Sequence, residues 1–137
     1  MKIIPLMLAP LLLYNLIAFG FVGTATDDTW SMSLFSLDMV SGARWTMTLG
    51  DLMIVIGLAV LFAEILKSTR ASSSSIVDHV LSTAIFIVFL VEFIVVRQAA
   101  HSVFFILMMI SLIDVVAGFS ITIRTAMRDI AVDRLSM

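Results

Sequence analysis

Five polar side chains interrupt otherwise apolar runs of this chain: Asn15, Asp51, Glu64, Glu92 and Asp114. An ionisable group in hydrocarbon is expensive, so it normally faces other helices, a wet cavity or a partner. Asp114 has the most pointed surroundings. Ser111, Asp114, Gly118 and Thr122 follow one another at spacings of three, four and four, which puts them on one face of a helix. Two chemistries fit that stripe. Asp114 and Glu92 can serve as successive carriers in a proton or cation relay. Alternatively the stripe is polar glue, in which hydroxyls hydrogen-bond across helices and small residues let a second backbone approach. Glu92 and Asp114 lie in consecutive runs, and a rise of about 1.5 Å per residue separates their depths by about 10 Å. A close carboxylate dyad is therefore not expected. Asn15 is placed to donate to Asp114 or to a neighbouring carbonyl.

The remaining candidates read as structural. Gly50, Gly57 and Glu64 recur every seven residues, a second face suited to close helix packing against the Asp114 stripe. Glu64 and Lys67 are spaced to form an i,i+3 ion pair near a membrane surface. Asp51 is either wet at headgroup level or an early-turn acid that complements its own helix dipole. His79 and His101 begin successive helices of opposite direction, so they fall at opposite membrane faces and do not form a bis-His haem site within one copy. His101 alone, after two small alanines, is a weak candidate ligand for a pigment or haem against an interfacial, capping role. The chain contains no Cys, which removes disulfides, thiolate metal sites and thiol catalysis. No phosphate loop, metal motif or nucleophile elbow is present. No cofactor, no metal and no enzymatic activity are expected.

Four apolar runs must position these residues: Ile3 to Val22, Leu49 to Leu66, Ile76 to Val96 and Val103 to Ile123. A membrane-spanning helix needs roughly 17–25 apolar residues, and each run meets that length. Hydrophobic residues make up 61% of the 137 positions and charged residues 13%, so most of the chain has lipid as its solvent. The sequence predicts one all-α domain, residues 1–137, an antiparallel four-helix transmembrane bundle with a larger loop over 23–48. The first run is longer than the apolar core of a secretory signal, and retention as a membrane helix is expected. A continuous helix from Ile76 to Ile123 would be about 70 Å long, so Arg97 to His101 must turn and place the third and fourth helices side by side.

Charge sets the orientation. Lys2, Lys67, Arg70, Arg124, Arg128 and Arg134 fall on one side, and Arg44 and Arg97 on the other. Both termini are thus expected in the cytoplasm, with Trp30 and Trp45 forming an aromatic belt at the outer interface. Within the outer loop, Thr29 to Gly42 reads as an interfacial helix or irregular segment acting as an amphipathic lid, or as a place for a partner to dock. The alternation from Trp30 to Leu34 also permits a strand, disfavoured because a lone strand near lipid leaves its backbone unpaired. Ser75 and Asp78 are spaced as a capping box for the third helix. Phe86, Phe89, Phe93, Phe104 and Phe105 read as facing lipid or a partner's tails.

The stretch from Ser41 to Val132 resembles a family of uncharacterised small inner-membrane proteins of alphaproteobacteria. The resemblance is carried by Ser41-Gly42 with Trp45, Leu49-Gly50-Asp51-Leu52, Glu64-Ile65-Leu66-Lys67, Val91-Glu92-Phe93 and Leu112-Ile113-Asp114-Val115-Val116-Ala117-Gly118-Phe119. It implies a multi-pass location in the bacterial inner membrane and no particular activity.

Two functions follow as expectations. The first is a non-enzymatic accessory subunit of a larger inner-membrane complex, respiratory or photosynthetic, or a self-associating scaffold. The second is a small oligomeric transporter or proton or cation channel using Asp114 and Glu92. The bilayer and other membrane subunits or further copies are the expected partners. The formal charge of −2 and the lack of a dense basic patch exclude nucleic acid.

Overall fold

A computed structural model describes residues 4–21, 28–69 and 75–136, with the side chains of 21, 75, 122, 125, 126, 129 and 136 left aside. Lys2, Ile3, Val22, the start of the expected outer loop and the serine-rich connector at 70–74 lie outside the described residues, as does the Ser75 side chain expected to cap the third helix.

The first apolar run does not form one long helix. Helix α1 covers Leu8–Leu16 and runs on into a π-helical turn, Ile17–Phe21. Pro5 lies before its start and Pro10 in its first turn, where the missing N–H is tolerated. The regular apolar helix, Leu8–Gly20, is shorter than a membrane-length span. Among the described residues the helix starts at Leu8, five positions after the expected Ile3 and just past Pro5; the expected end at Val22 lies outside them.

Among the described residues, three helices are long and apolar enough to cross a membrane. Helix α2 spans Leu49–Ser68 and opens with a capping box, in which Thr48 Oγ1 accepts from the Asp51 N–H and Asp51 Oδ2 accepts from the Thr48 N–H. Two orphan backbone donors are thereby satisfied. Helix α3 spans Ser75–Val95 and α4 spans Ser102–Ser136. A short 3-10 turn, Arg97–Ala99, reverses the chain between them. Helix α4 is the central element, packing on both α2 and α3. It extends well past the expected end at Ile123, since the polar residues from Arg124 onward include no Gly or Pro to stop it.

The segment before α2 is a β-hairpin, not a helix or an irregular loop. Strand β1 (Ser33–Asp38) pairs antiparallel with β2 (Arg44–Thr48), with a bulge between Ser33 and Phe35. The objection to a strand was its unpaired backbone, and β2 supplies the missing partner. The reversal uses Gly42 at φ 91°, a left-handed conformation that glycine adopts without steric strain. Base contacts fix the hairpin to α2, where the Leu49 N–H donates to the Met32 carbonyl at 2.9 Å.

The core gathers Met7, Leu11, Tyr14, Trp30, Met53, Phe89, Phe104 and Leu107. Two expectations change here. Phe89 and Phe104 are fully enclosed and do not face lipid, whereas Phe105 is exposed. Trp30 is 7% exposed and stacks on Tyr14 with ring centroids 4.5 Å apart, so it seals the end of the bundle. Trp45 alone remains on the surface as an aromatic-belt residue would.

Candidate functional site

Polar residues within the helices gather in two layers. At the hairpin end, Tyr14 donates to the Gln98 carbonyl at 2.9 Å and packs edge-on against Phe104. Its neighbour Asn15 uses one amide group twice, donating to the Leu11 carbonyl at 2.9 Å and to Glu92 Oε1 at 3.1 Å. Asn15 therefore engages Glu92 and not Asp114. The expected link fails because Asp114 lies twelve positions into α4 from Ser102, about 18 Å down the helix. The Tyr14 hydroxyl thus ties α1 to the α3–α4 turn, and the Asn15–Glu92 bond ties it to α3.

The same end is closed from outside by Asp28, a residue the sequence reading missed. Asp28 Oδ1 accepts from the Trp30 N–H, and Oδ2 lies 3.0 Å from His101 Nε2. His101 Nδ1 accepts from the Val103 N–H at 3.0 Å. With Nδ1 accepting, the ring proton resides on Nε2 and points at the Asp28 carboxylate. His101 is thus the N-cap of α4, with both ring nitrogens engaged in hydrogen bonds. An acid directly before a short turn, Asp28 before Thr29–Ser31, is the signal that would have found it.

Between the layers, two glycines set how closely α2 approaches α4. A Cβ at Gly57 would lie 2.7 Å from Leu107 Cδ2 and 3.2 Å from Ile110 Cδ1. One at Gly50 would lie 2.8 Å from Val103 Cγ2 and 3.0 Å from the Trp30 carbonyl oxygen. Gly118 is different: its nearest neighbours, Ser68 Oγ and His79 Nδ1, stand at ordinary contact distances of 3.6 and 3.8 Å.

The second layer lies at the opposite end. Glu64 is 3% exposed. It accepts the Leu6 N–H and pairs with Lys67 at 3.7 Å. Lys67 also donates to the Ile4 carbonyl at 3.1 Å and approaches Asp78 of α3 at 3.8 Å. One ammonium thus joins α2, α3 and the segment leading into α1. The i,i+3 spacing thus gives the expected Glu64–Lys67 pair, and the flexible stem carries the same ammonium to α3 and to the segment before α1.

Asp114 is also 3% exposed and faces this layer. Ser82 of α3 is its side-chain hydrogen-bonding neighbour, and Glu64 and Lys67 act on it electrostatically. Its Oδ2 has no hydrogen-bond partner among the described residues, and the same holds for Ser111 Oγ one turn away. His79 packs against Phe119 with ring centroids 5.0 Å apart. The Thr122 side chain lies outside the described ones. Glu92 and Asp114 belong to different layers, and among the described residues no three His, Asp or Glu side chains converge as a metal site requires. Compared with family models, curated proteins and solved structures, the chain matches none of them.

Proposed function

We propose that this chain is a non-enzymatic structural protein of the bacterial inner membrane, an antiparallel four-helix transmembrane bundle that works as an accessory subunit or self-associating scaffold. In this arrangement α1 is a shorter fourth membrane helix, and both termini lie in the cytoplasm with Arg124, Arg128 and Arg134 at the cytoplasmic end of α4.

The observation that carries the reading is where the intramembrane polar groups point. Asn15 meets Glu92, Glu64 meets the Leu6 N–H and Lys67, and Lys67 meets the Ile4 carbonyl. Each contact anchors the short helix α1 to its longer neighbours. A polar group in hydrocarbon gains its full worth only when paired, and each of these contacts pairs one such group within the fold. The exposed side chains of α2, α3 and α4 are mostly apolar, a surface suited to lipid and to other membrane helices.

One observation favours a second reading. Asp114 Oδ2, Ser111 Oγ and Glu92 Oε2 are buried without partners among the described residues, which suits a proton or cation carrier. The test that separates the two begins with purification of the native protein in mild detergent, with native mass measurement. The structural reading expects a defined homo-oligomer or a stoichiometric complex that survives Asp114→Asn. Proton flux that depends on Asp114 overturns it, whatever the oligomeric state.

A further inference from the structure

The hairpin has two unlike faces. Residues directly opposite in an antiparallel pair share a face, so the register Phe35↔Met47 and Leu37↔Trp45 makes one side apolar, while Ser36↔Thr46 and Asp38↔Arg44 make the other polar. The contacts agree with that division. Ser36 and Thr46 hydroxyls meet at 2.8 Å and Arg44 lies 3.9 Å from Asp38 on one side. The Phe35 and Trp45 rings meet edge-on at 5.7 Å on the other.

The apolar side is not covered by the rest of the chain. Phe35 is 47% exposed, Leu37 51% and Trp45 42%. The turn continues the surface with Met39 and Val40, both exposed. Such a patch carries free-energy cost in water and marks a contact surface.

The hairpin's attachment says what it contacts. Thr48 ends β2 and caps α2, a helix of membrane length. The Leu49 N–H ties the other end of the hairpin base through Met32, and the Trp30 carbonyl sits against Gly50. The hairpin is held at the mouth of a span whose own outward side chains, Val55, Leu58 and Phe62, are exposed and apolar. Its apolar face has no charged residue and carries a Trp and a Phe, the composition of side chains that settle at the boundary between headgroups and acyl chains.

We propose that the β1–β2 hairpin is an interfacial anchor, laying Phe35, Leu37, Trp45 and Met47 into the headgroup–acyl boundary of the leaflet at the N-terminal end of α2. This rests on the membrane-spanning reading of α2. The Asp38–Arg44 pair and the Ser36–Thr46 pair then face water. An amphipathic surface of this kind sits about 5–10 Å into the boundary.

The test uses the full-length protein in phosphatidylcholine vesicles whose acyl chains are brominated either close to the glycerol or near the methyl end. The chain has two Trp residues, so subtracting the emission of the Trp45→Phe variant from that of the native protein isolates Trp45 while Trp30 stays in its core position. A second variant, Phe62→Trp added to Trp45→Phe, reports on the middle of α2. Trp45 is expected to be quenched at least about twofold more by the shallow bromines than by the deep ones, the Phe62→Trp reporter showing the reverse preference. Quenching of the Phe62→Trp reporter with none at Trp45 overturns the anchor while leaving the span intact, whether water or another protein covers the hairpin. Absence of quenching at both positions overturns the anchor and the membrane reading together.

Discussion

Adding a single methyl group at each of three glycines ranks how tightly the helices approach one another. At Gly118 the new Cβ meets Ser68 and His79 at ordinary distances. Only the backbone preference for alanine in a helix remains, so Gly118→Ala should stabilise by up to about 1 kcal/mol. At Gly57 the same gain is opposed by the 2.7 Å approach to Leu107 Cδ2, which is fully buried and has little room to yield. Overpacking of this kind costs about 1–3 kcal/mol, and the net loss for Gly57→Ala is then about 0–2 kcal/mol. Gly50 sits in the first turn of α2. Its Cβ would press on Val103, whose branched side chain has one strongly preferred rotamer in a helix, and on the Trp30 backbone, which cannot rotate away. Gly50→Ala should lose about 2–3 kcal/mol. Sodium dodecyl sulfate titration of the protein in mixed micelles, followed by circular dichroism, reads the three differences. The expected order of loss is Gly50, then Gly57, then Gly118. A destabilised Gly118→Ala beside a neutral Gly50→Ala would refute the reasoning, because it would place the close α2–α4 approach at the wrong end.

The polar ties give two further expectations. In a double-mutant cycle, Asn15→Leu and Glu92→Met, each of which removes the hydrogen bond, should couple by about 0.6 kcal/mol and by no more than about 1.7 kcal/mol, the range for hydrogen bonds between membrane helices; zero coupling would remove the α1–α3 tie. Lys67→Met takes away the partner of Glu64 and the donor to the Ile4 carbonyl. It should cost about 1.5–3 kcal/mol and speed hydrogen exchange at Leu6 and Met7, whereas unchanged exchange there would show that α1 is held without it.

Legibility in the sequence followed the range of the forces involved. Helices α2 and α3 start and end within two residues of their apolar runs, because hydrophobic length is a local signal. The sevenfold spacing of Gly50, Gly57 and Glu64 lies on the face of α2 that meets α4, since helical periodicity alone fixes a shared face. What was not legible depended on contacts across the chain. The hairpin is hidden in Thr29 to Gly42 because the strand there needs Arg44–Thr48 as its partner. Trp30 suits an exposed belt by its type, and contacts distant in sequence, with the Tyr14 ring, Gly50 and His101, draw it into the core. Gly118 looked like a packing residue from spacing, yet the close approaches occur at Gly50 and Gly57, where the opposing side chains are Val103, Leu107 and Ile110. The reach of Lys67 into the bundle and the Asp28–His101 contact are likewise products of tertiary placement.

The central claim is that the intramembrane acids hold the helices together and do not carry charge across the membrane. Proton uptake into proteoliposomes under an imposed potential, followed with an internal pH dye, tests it most directly. The account predicts that vesicles with the native protein and with Asp114→Asn take up protons at the rate of empty vesicles. Uptake well above that background with the native protein, abolished by Asp114→Asn while the helical content stays unchanged, would contradict it.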